Sequence, residues 1–341
     1  MRDRRSLRSV RQPASAAVVT LLMVSATLFV PLQARAELTQ QRMLLGIPHK
    51  LPSTHLYVTT PSATVVSYPL NKAGLPATKP DWQLQGGLQS PRAVSLDGAG
   101  YIYVSDAGPG QVRVYAPGAS GNAMPVRTIT VPSGGQTQSL AVDKAGDVFV
   151  TYGNLFTLLV YPAGAHDVGS SPATPVLAFE PGFLIFGLVV DSSGRLYVSP
   201  PEGSILVYDD LVGSTRVTPH LPDRVIAAAR GEEQGPFSPM AVEAATGDVY
   251  MQVVFNNLPQ RWQANDWAAR PAAGGPDRRS VSDFGYSPSG PDDSQAMAVN
   301  ANYVMMTSYY PIDLLVYKNT TGRQSRPLEV LPPGYGIVLW P

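Results

Sequence analysis

AVSLDGAGYIYVSDAGPGQVRVY, Ala93 to Tyr115, is one of six related passages in the chain. At its centre is the apolar-aromatic triplet Ile102-Tyr103-Val104. Equivalents stand at Leu56-Tyr57-Val58, Val148-Phe149-Val150, Leu196-Tyr197-Val198, Val249-Tyr250-Met251 and, more degraded, Val304-Met305-Met306. Their middle residues are 46, 46, 48, 53 and 55 positions apart. A second landmark follows each triplet at 11 or 12 residues: Val66-Ser67-Tyr68, Arg113-Val114-Tyr115, Leu159-Val160-Tyr161, Leu206-Val207-Tyr208 and Leu315-Val316-Tyr317, with Trp262 in place of tyrosine in the fifth copy. Two landmarks in fixed register define a repeat array.

Ahead of each triplet lies a turn with readable chemistry. Asp97-Gly98-Ala99-Gly100, Asp143-Lys144-Ala145-Gly146 and Asp191-Ser192-Ser193-Gly194 place Asp first and Gly fourth. That order suits a type I turn, in which the carboxylate accepts from nearby amides and glycine tolerates positive φ. These aspartates are therefore turn formers. The fifth copy keeps Gly247 but has Ala244 where the acid is expected, and the sixth has a shorter turn at Asn300-Ala301-Asn302.

Each copy then divides into four strands: an inner one such as Ala93 to Leu96, the aromatic core, the strand ending in Val-Tyr, and an outer one such as Pro125 to Ile129. Consecutive apolar residues, as in Phe186 to Val190, predict strands buried on both faces. Four short strands per repeat of this length predict an all-β fold, a six-bladed β-propeller. The first copy lacks an inner strand, and the tail Gly336-Ile337-Val338-Leu339-Trp340 matches the missing pattern. The tail is expected to complete blade 1 and close the ring, removing an exposed edge. The tyrosines at the repeating positions are read as packing between blades rather than a sugar-stacking platform, and Met297, Met305 and Met306 as fillers of the sixth blade's core.

The repeats begin only after the first 50 or so of the 341 residues. Arg2, Arg4, Arg5, Arg8 and Arg11 precede an apolar run, Ala14 to Val30, and Ala34-Arg35-Ala36 has the form of a signal peptidase site. Residues 1–36 are read as an export signal, residues 37–52 as a lead-in and residues 53–341 as the propeller. An uncleaved anchor is the competing reading, against which stand the short apolar run and the cleavage motif. Arg4-Arg5 also fits a twin-arginine signal. Without residues 1–36 the chain holds 19 basic and 24 acidic residues, a net charge of −5 that argues against nucleic acid. It has no cysteine, hence no disulfide, thiol nucleophile or thiolate metal site. A periplasmic or secreted protein with no membrane span after signal cleavage is expected.

The Asp-x-x-Gly-x-Φ-Tyr-Val pattern, the following Val-Tyr and the Gly121-Asn122-Ala123-Met124-Pro125-Val126-Arg127-Thr128-Ile129 segment resemble the NHL-like and TolB-like six-bladed propellers of exported bacterial proteins. The resemblance covers nearly all of residues 50–341. Tyr57-Val58-Thr59-Thr60 and Tyr103-Val104-Ser105-Asp106 are also similar to YVTN-type propeller repeats, which often number seven. The Asn-His-Leu tripeptide that names the NHL family is absent. What the resemblance implies is a fold, since propellers of this kind include binding scaffolds, lactonases, lyases and quinoproteins.

Catalytic chemistry is hard to assemble from these residues. His49, His55, His166 and His220 occupy unrelated phases of the repeat, so they do not converge as a metal or acid–base centre must. No phosphate-binding glycine loop, nucleophile elbow or EF-hand loop is present. Ligands of such propellers usually meet the face formed by the loops joining second to third strands and outer to next inner strands. Those loops carry Asp106, Tyr152, Asn154, Glu202, Asn256, Asn257, Tyr309, Tyr310 and Asp313, with Arg92 at the mouth of blade 2. The long connection Pro222 to Pro239 is expected to border this face, with Val225 to Arg230 able to form a helical turn. The long segment from Trp262 to Ser280 reads as an outer-blade excursion. The favoured function is noncatalytic binding of a protein, glycan or cell-envelope ligand, with no cofactor. The alternative is a lactonase-type hydrolase in which Glu202, Asn154 and Asp106 hold an axial divalent ion such as calcium.

Overall fold

Six antiparallel sheets are built by the six copies, one per copy, and the inner strands neighbour one another all the way round. The computed structural model describes residues 55–132, 135–153, 157–179, 185, 187–199, 204–209, 211–212, 222–226, 239–253, 258–264, 281–285, 294–308, 313–319, 322–323 and 327–340. All belong to the compact unit His49–Pro341, so the proposed signal lies outside them, as does the lead-in. Among the described residues no helix is long and apolar enough to cross a membrane.

Blade 2 shows the plan, from the axis outward: Pro91–Leu96, Ile102–Asp106, Gln111–Tyr115 and Arg127–Thr130. The outer strand starts later than Pro125 because proline has no N–H to give; the first bond runs from Val126 N to Val114 O. In blade 1 the inner strand is the tail, Ile337–Trp340, paired antiparallel with His55–Thr60 through Val58 to Ile337 and His55 to Trp340. The ring is thus closed by the last strand on the first.

Register explains the two sequence landmarks. The first residue of each core triplet faces the distant aromatic residue across the sheet: Leu56 and Tyr68, Ile102 and Tyr115, Val148 and Tyr161, Leu196 and Tyr208, Val249 and Trp262, Val304 and Tyr317. The middle residue of one blade shares a buried cluster with the aromatic residue of the next: Tyr57 with Tyr115, Tyr103 with Tyr161, Phe149 with Tyr208, and Tyr197 with Trp262. Met305 of blade 6 meets Tyr68 of blade 1 in the same way, so the closure repeats the packing of these four joints. The aromatic positions are joints between blades, as the repeat argument requires.

Two expectations need correction. The inner strand of blade 4, Gly187–Val190, is partly exposed at Leu188, Val189 and Val190, because an inner strand turns one side to the axis; the strands buried on both faces are the second ones. Val225 lies in the outer strand of blade 4, Arg224–Ile226, not in a helical turn. A proline four residues ahead of the last apolar residue marks such strands in Pro80/Leu84, Pro125/Ile129, Pro175/Phe179, Pro222/Ile226 and Pro327/Leu331. The rest of that connection, 227–238, lies outside the described residues.

Loops ahead of some outer strands reach back over the previous blade. Gly121 of blade 2 bridges the outer strand of blade 1 in parallel, with Gly121 N to Gln83 O at 2.7 Å and Gln85 N to Gly121 O at 2.8 Å. Asp167 of blade 3 caps the outer strand of blade 2, accepting from Thr130 N at 3.0 Å and Thr130 Oγ1 at 2.6 Å. Gly322–Arg323 of blade 6 adds a fifth, parallel strand to blade 5. Edges that would otherwise offer free N–H and C=O groups are thereby occupied.

Candidate functional site

The two ends of the ring differ in chemistry. At the end carrying the turns between inner and second strands, the acids are used internally. Asp97 Oδ1 accepts from Ala99 N and Tyr101 N at 2.9 and 3.0 Å, and its Oδ2 from the Tyr103 hydroxyl at 3.1 Å. Asp191 repeats this with Ser193, Arg195 and the Tyr197 hydroxyl. Burial pushes the Asp191 carboxyl up, yet those bonds outweigh it and hold it below its usual range. Burial, aided by the neighbouring carboxylates, raises the Tyr103 and Tyr197 hydroxyls well above theirs. In the fifth copy the acid is not lost. Glu243 takes the position, its N–H bonded to Asp248 O as Asp97 N is to Tyr101 O, in a turn one residue longer. Asn300 fills the role in the sixth, accepting from Asn302 N and Tyr303 N. Blade 3 has Phe149 instead of tyrosine, and burial together with Asp147 pushes the Asp143 carboxyl up to about 6.

The opposite end, formed by the loops after second and outer strands, is where ligand contacts are expected. It is knitted by hydroxyls that the sequence reading passed over. Thr59, Ser105, Thr151, Ser199 and Thr307, each two residues past the core aromatic or its methionine replacement, are fully buried. Thr59 Oγ1 accepts from Gly336 N of its own inner strand at 2.7 Å and donates to Arg92 O of the next at 3.0 Å. Ser105 accepts from Ala93 N and donates to Gln138 O; Thr307 accepts from Ala296 N and donates to Tyr335 O. Thr151 accepts from Ser139 N. Blade 5 breaks the series: Gln252 replaces the hydroxyl, Pro239 replaces the N–H donor, and both polar atoms of the buried Gln252 carboxamide lack a partner.

These stitches fix Tyr335, Arg92 and Gln138 as equivalent positions on blades 1, 2 and 3, side by side at the mouth, and all are partly exposed. Arg92 Cζ stands 4.9 Å from the centroid of the Tyr335 ring. The approach needs Gly336 beside it, where a Cβ would lie 2.4 Å from Arg92 O and 2.6 Å from Ala93 Cα. Arg92 Nε is buried without a hydrogen-bond partner, and no carboxylate among the described residues pairs with it.

Of the expected face residues, Arg92 stands at the mouth, Tyr152 at the end of the second strand of blade 3 and Asp313 just before the third strand of blade 6, both partly exposed. Tyr152 lies against the Gly135 backbone. Asp106 departs from expectation. It is fully buried, accepts from Ser90 N at 2.6 Å and from Gln89 N, and pairs with Arg113 Nε at 2.7 Å, so it braces a loop and has no free face for an ion. Asn154, Glu202, Asn256, Asn257, Tyr309 and Tyr310 lie outside the described residues, as do His49 and His220. His55 bonds Asp81 within blade 1 and His166 bonds Gly164 O in a loop of blade 3, so these two share no centre. Tyr335 was missed because it precedes the closing strand, far in sequence from Arg92.

No family model matches the chain, and no curated protein does. Among solved structures 926 chains match, a breadth that marks a widely used fold and selects no activity. One is a chain from the crystal structure of a nidogen/laminin complex, similar with a TM-score of 0.60 at 15% identity, over 84% of this chain and 98% of that one. At that identity the likeness supports the six-bladed propeller and nothing finer.

Proposed function

We propose that this chain is an exported, noncatalytic interaction propeller that presents the Arg92 end of its ring to a protein ligand. The observation that carries the reading is the contrast between the two ends. The acids of the turn end are held by their own turns, whereas the mouth holds a guanidinium that pairs with no carboxylate among the described residues. Such an unneutralised group on a rigid frame is what a binding surface needs. The similar chain comes from a nidogen/laminin complex, which is in keeping with a propeller serving in an assembly between proteins. Export rests on residues 1–36 as read above. The lactonase reading has lost Asp106 as an ion ligand, since its oxygens already serve two amides and an arginine.

Site-specific photo-crosslinking in cells tests the reading. A photoreactive residue at Gln138, on the mouth, is expected to give a discrete protein adduct, and one at Lys144, exposed on the opposite turns, none. Equal labelling from both positions, or none from either, refutes it.

A further inference from the structure

We propose that the mouth carries a carboxylate-binding site built on Arg92, flanked by Tyr335 and Gln138, and that its ligand is an acidic segment of a partner protein. The inference rests on the binding reading above and names the chemistry the partner presents.

Five arginines elsewhere in the blades have acceptors. Arg113 pairs with Asp106, Arg195 with Asp191, Arg224 with Asp209 and Arg261 with Asp248, while Arg127 donates to the Tyr103 hydroxyl. Among the described residues Arg92 has only the Tyr335 ring. Stacking fixes the plane of a guanidinium and leaves its N–H edge to be matched. One of those N–H groups, on Nε, is already withdrawn from water with nothing to accept it. Nε is turned into the protein, so a ligand meets the two terminal nitrogens, and a planar carboxylate has two oxygens at the spacing to accept from both.

The neighbours narrow the ligand further. Gln138, at the equivalent place on the next blade, supplies a neutral amide, and Ser139 beside it a hydroxyl; neither adds charge. A guanidinium with no second one beside it among the described residues, and with neutral flanks, fits a carboxylate better than a phosphate, for which clusters of arginines are used. A uronic acid sugar would bring the same group. Carbohydrate sites draw on exposed aromatic faces, however, and Arg92 stands over that of Tyr335. An acidic peptide is therefore favoured.

The test is calorimetric titration of the purified protein with poly-L-glutamate, with polygalacturonate as the second arm, at low and high salt. Poly-L-glutamate is expected to bind in a salt-sensitive manner, and Arg92→Met to weaken it by about tenfold or more without lowering the melting temperature. Arg92→Lys is expected to weaken it nearly as much, because it keeps the charge and loses the fork. Equal binding by wild type and both variants, or no binding of poly-L-glutamate, overturns the proposal. Arg92-dependent binding of polygalacturonate alone overturns the assignment to a protein ligand. If poly-L-glutamate binding fails or ignores Arg92 while the crosslink from position 138 persists, the face remains a binding surface and only the carboxylate site falls.

Discussion

Replacing Thr59 with valine removes one hydroxyl and keeps the shape, so it isolates what a single stitch contributes. Thr59 Oγ1 is fully buried, accepts from Gly336 N at 2.7 Å and donates to Arg92 O at 3.0 Å. Valine would leave a buried N–H and a buried carbonyl lone pair unmatched, at about 1–3 kcal/mol for each group left in that state. The carbonyl retains other geometry for bonding and the N–H does not, so the loss is expected to total about 2–4 kcal/mol. For a domain of this size 1 kcal/mol moves the melting temperature by about 2 °C, and the expected drop is about 4–8 °C. Differential scanning calorimetry at neutral pH measures it, with Thr59→Ser as the control that keeps the hydroxyl and gives most of the stability back. A Thr59→Val protein that melts within about 1 °C of wild type would refute the idea that these hydroxyls hold neighbouring blades together.

Blade 5 supplies the converse experiment. Restoring the stitch with Gln252→Thr and Pro239→Ala together is expected to raise the melting temperature by about 2–6 °C, and a fall would mean that the carboxamide is satisfied in solution. Asp143 predicts a pH dependence. Its carboxyl is raised to about 6 by burial and by Asp147, so folding favours the protonated form, and the stability this contributes is present at low pH and lost as pH rises toward 6. Asp143→Asn should therefore be more stable than wild type at pH 7, by about 1–2 kcal/mol after allowing for partial exposure, and gain nothing near pH 4. Urea unfolding at several pH values would expose the opposite trend.

The ring was legible in the sequence because inter-blade packing demands an aromatic residue at a fixed register, and Tyr103, Tyr115 and their equivalents recur at countable distances. Closure was legible for the same reason, since the tail repeats an inner-strand pattern that blade 1 lacks. The site was much less so. Asp106 looked like a loop acid beside Gly108-Pro109-Gly110, and only the hairpin that brings Arg113 opposite Val104, two residues before it and on the same face of the strand, turns it into a brace. Tyr335 and Arg92 meet only once the first and last parts of the chain share a sheet. The hydroxyls at Thr59, Ser105, Thr151, Ser199 and Thr307 were in view, but serine and threonine are common in strands, and their shared phase shows only against an aligned frame. Glu243 was hidden by the one-residue insertion in its turn.

The way the ring closes also sets a timetable. Blades 2 and 3 can form as their own residues emerge, each from contiguous chain. Blade 1 cannot, because its inner strand, Ile337–Trp340, follows every other described strand of the ring in the chain, and Thr59 waits for Gly336 until then. The first repeat to leave the ribosome is thus the last to be finished. A chain interrupted between Leu84 and that strand carries a three-stranded sheet with a bare inner edge, a form that proteases and chaperones can distinguish from the completed ring.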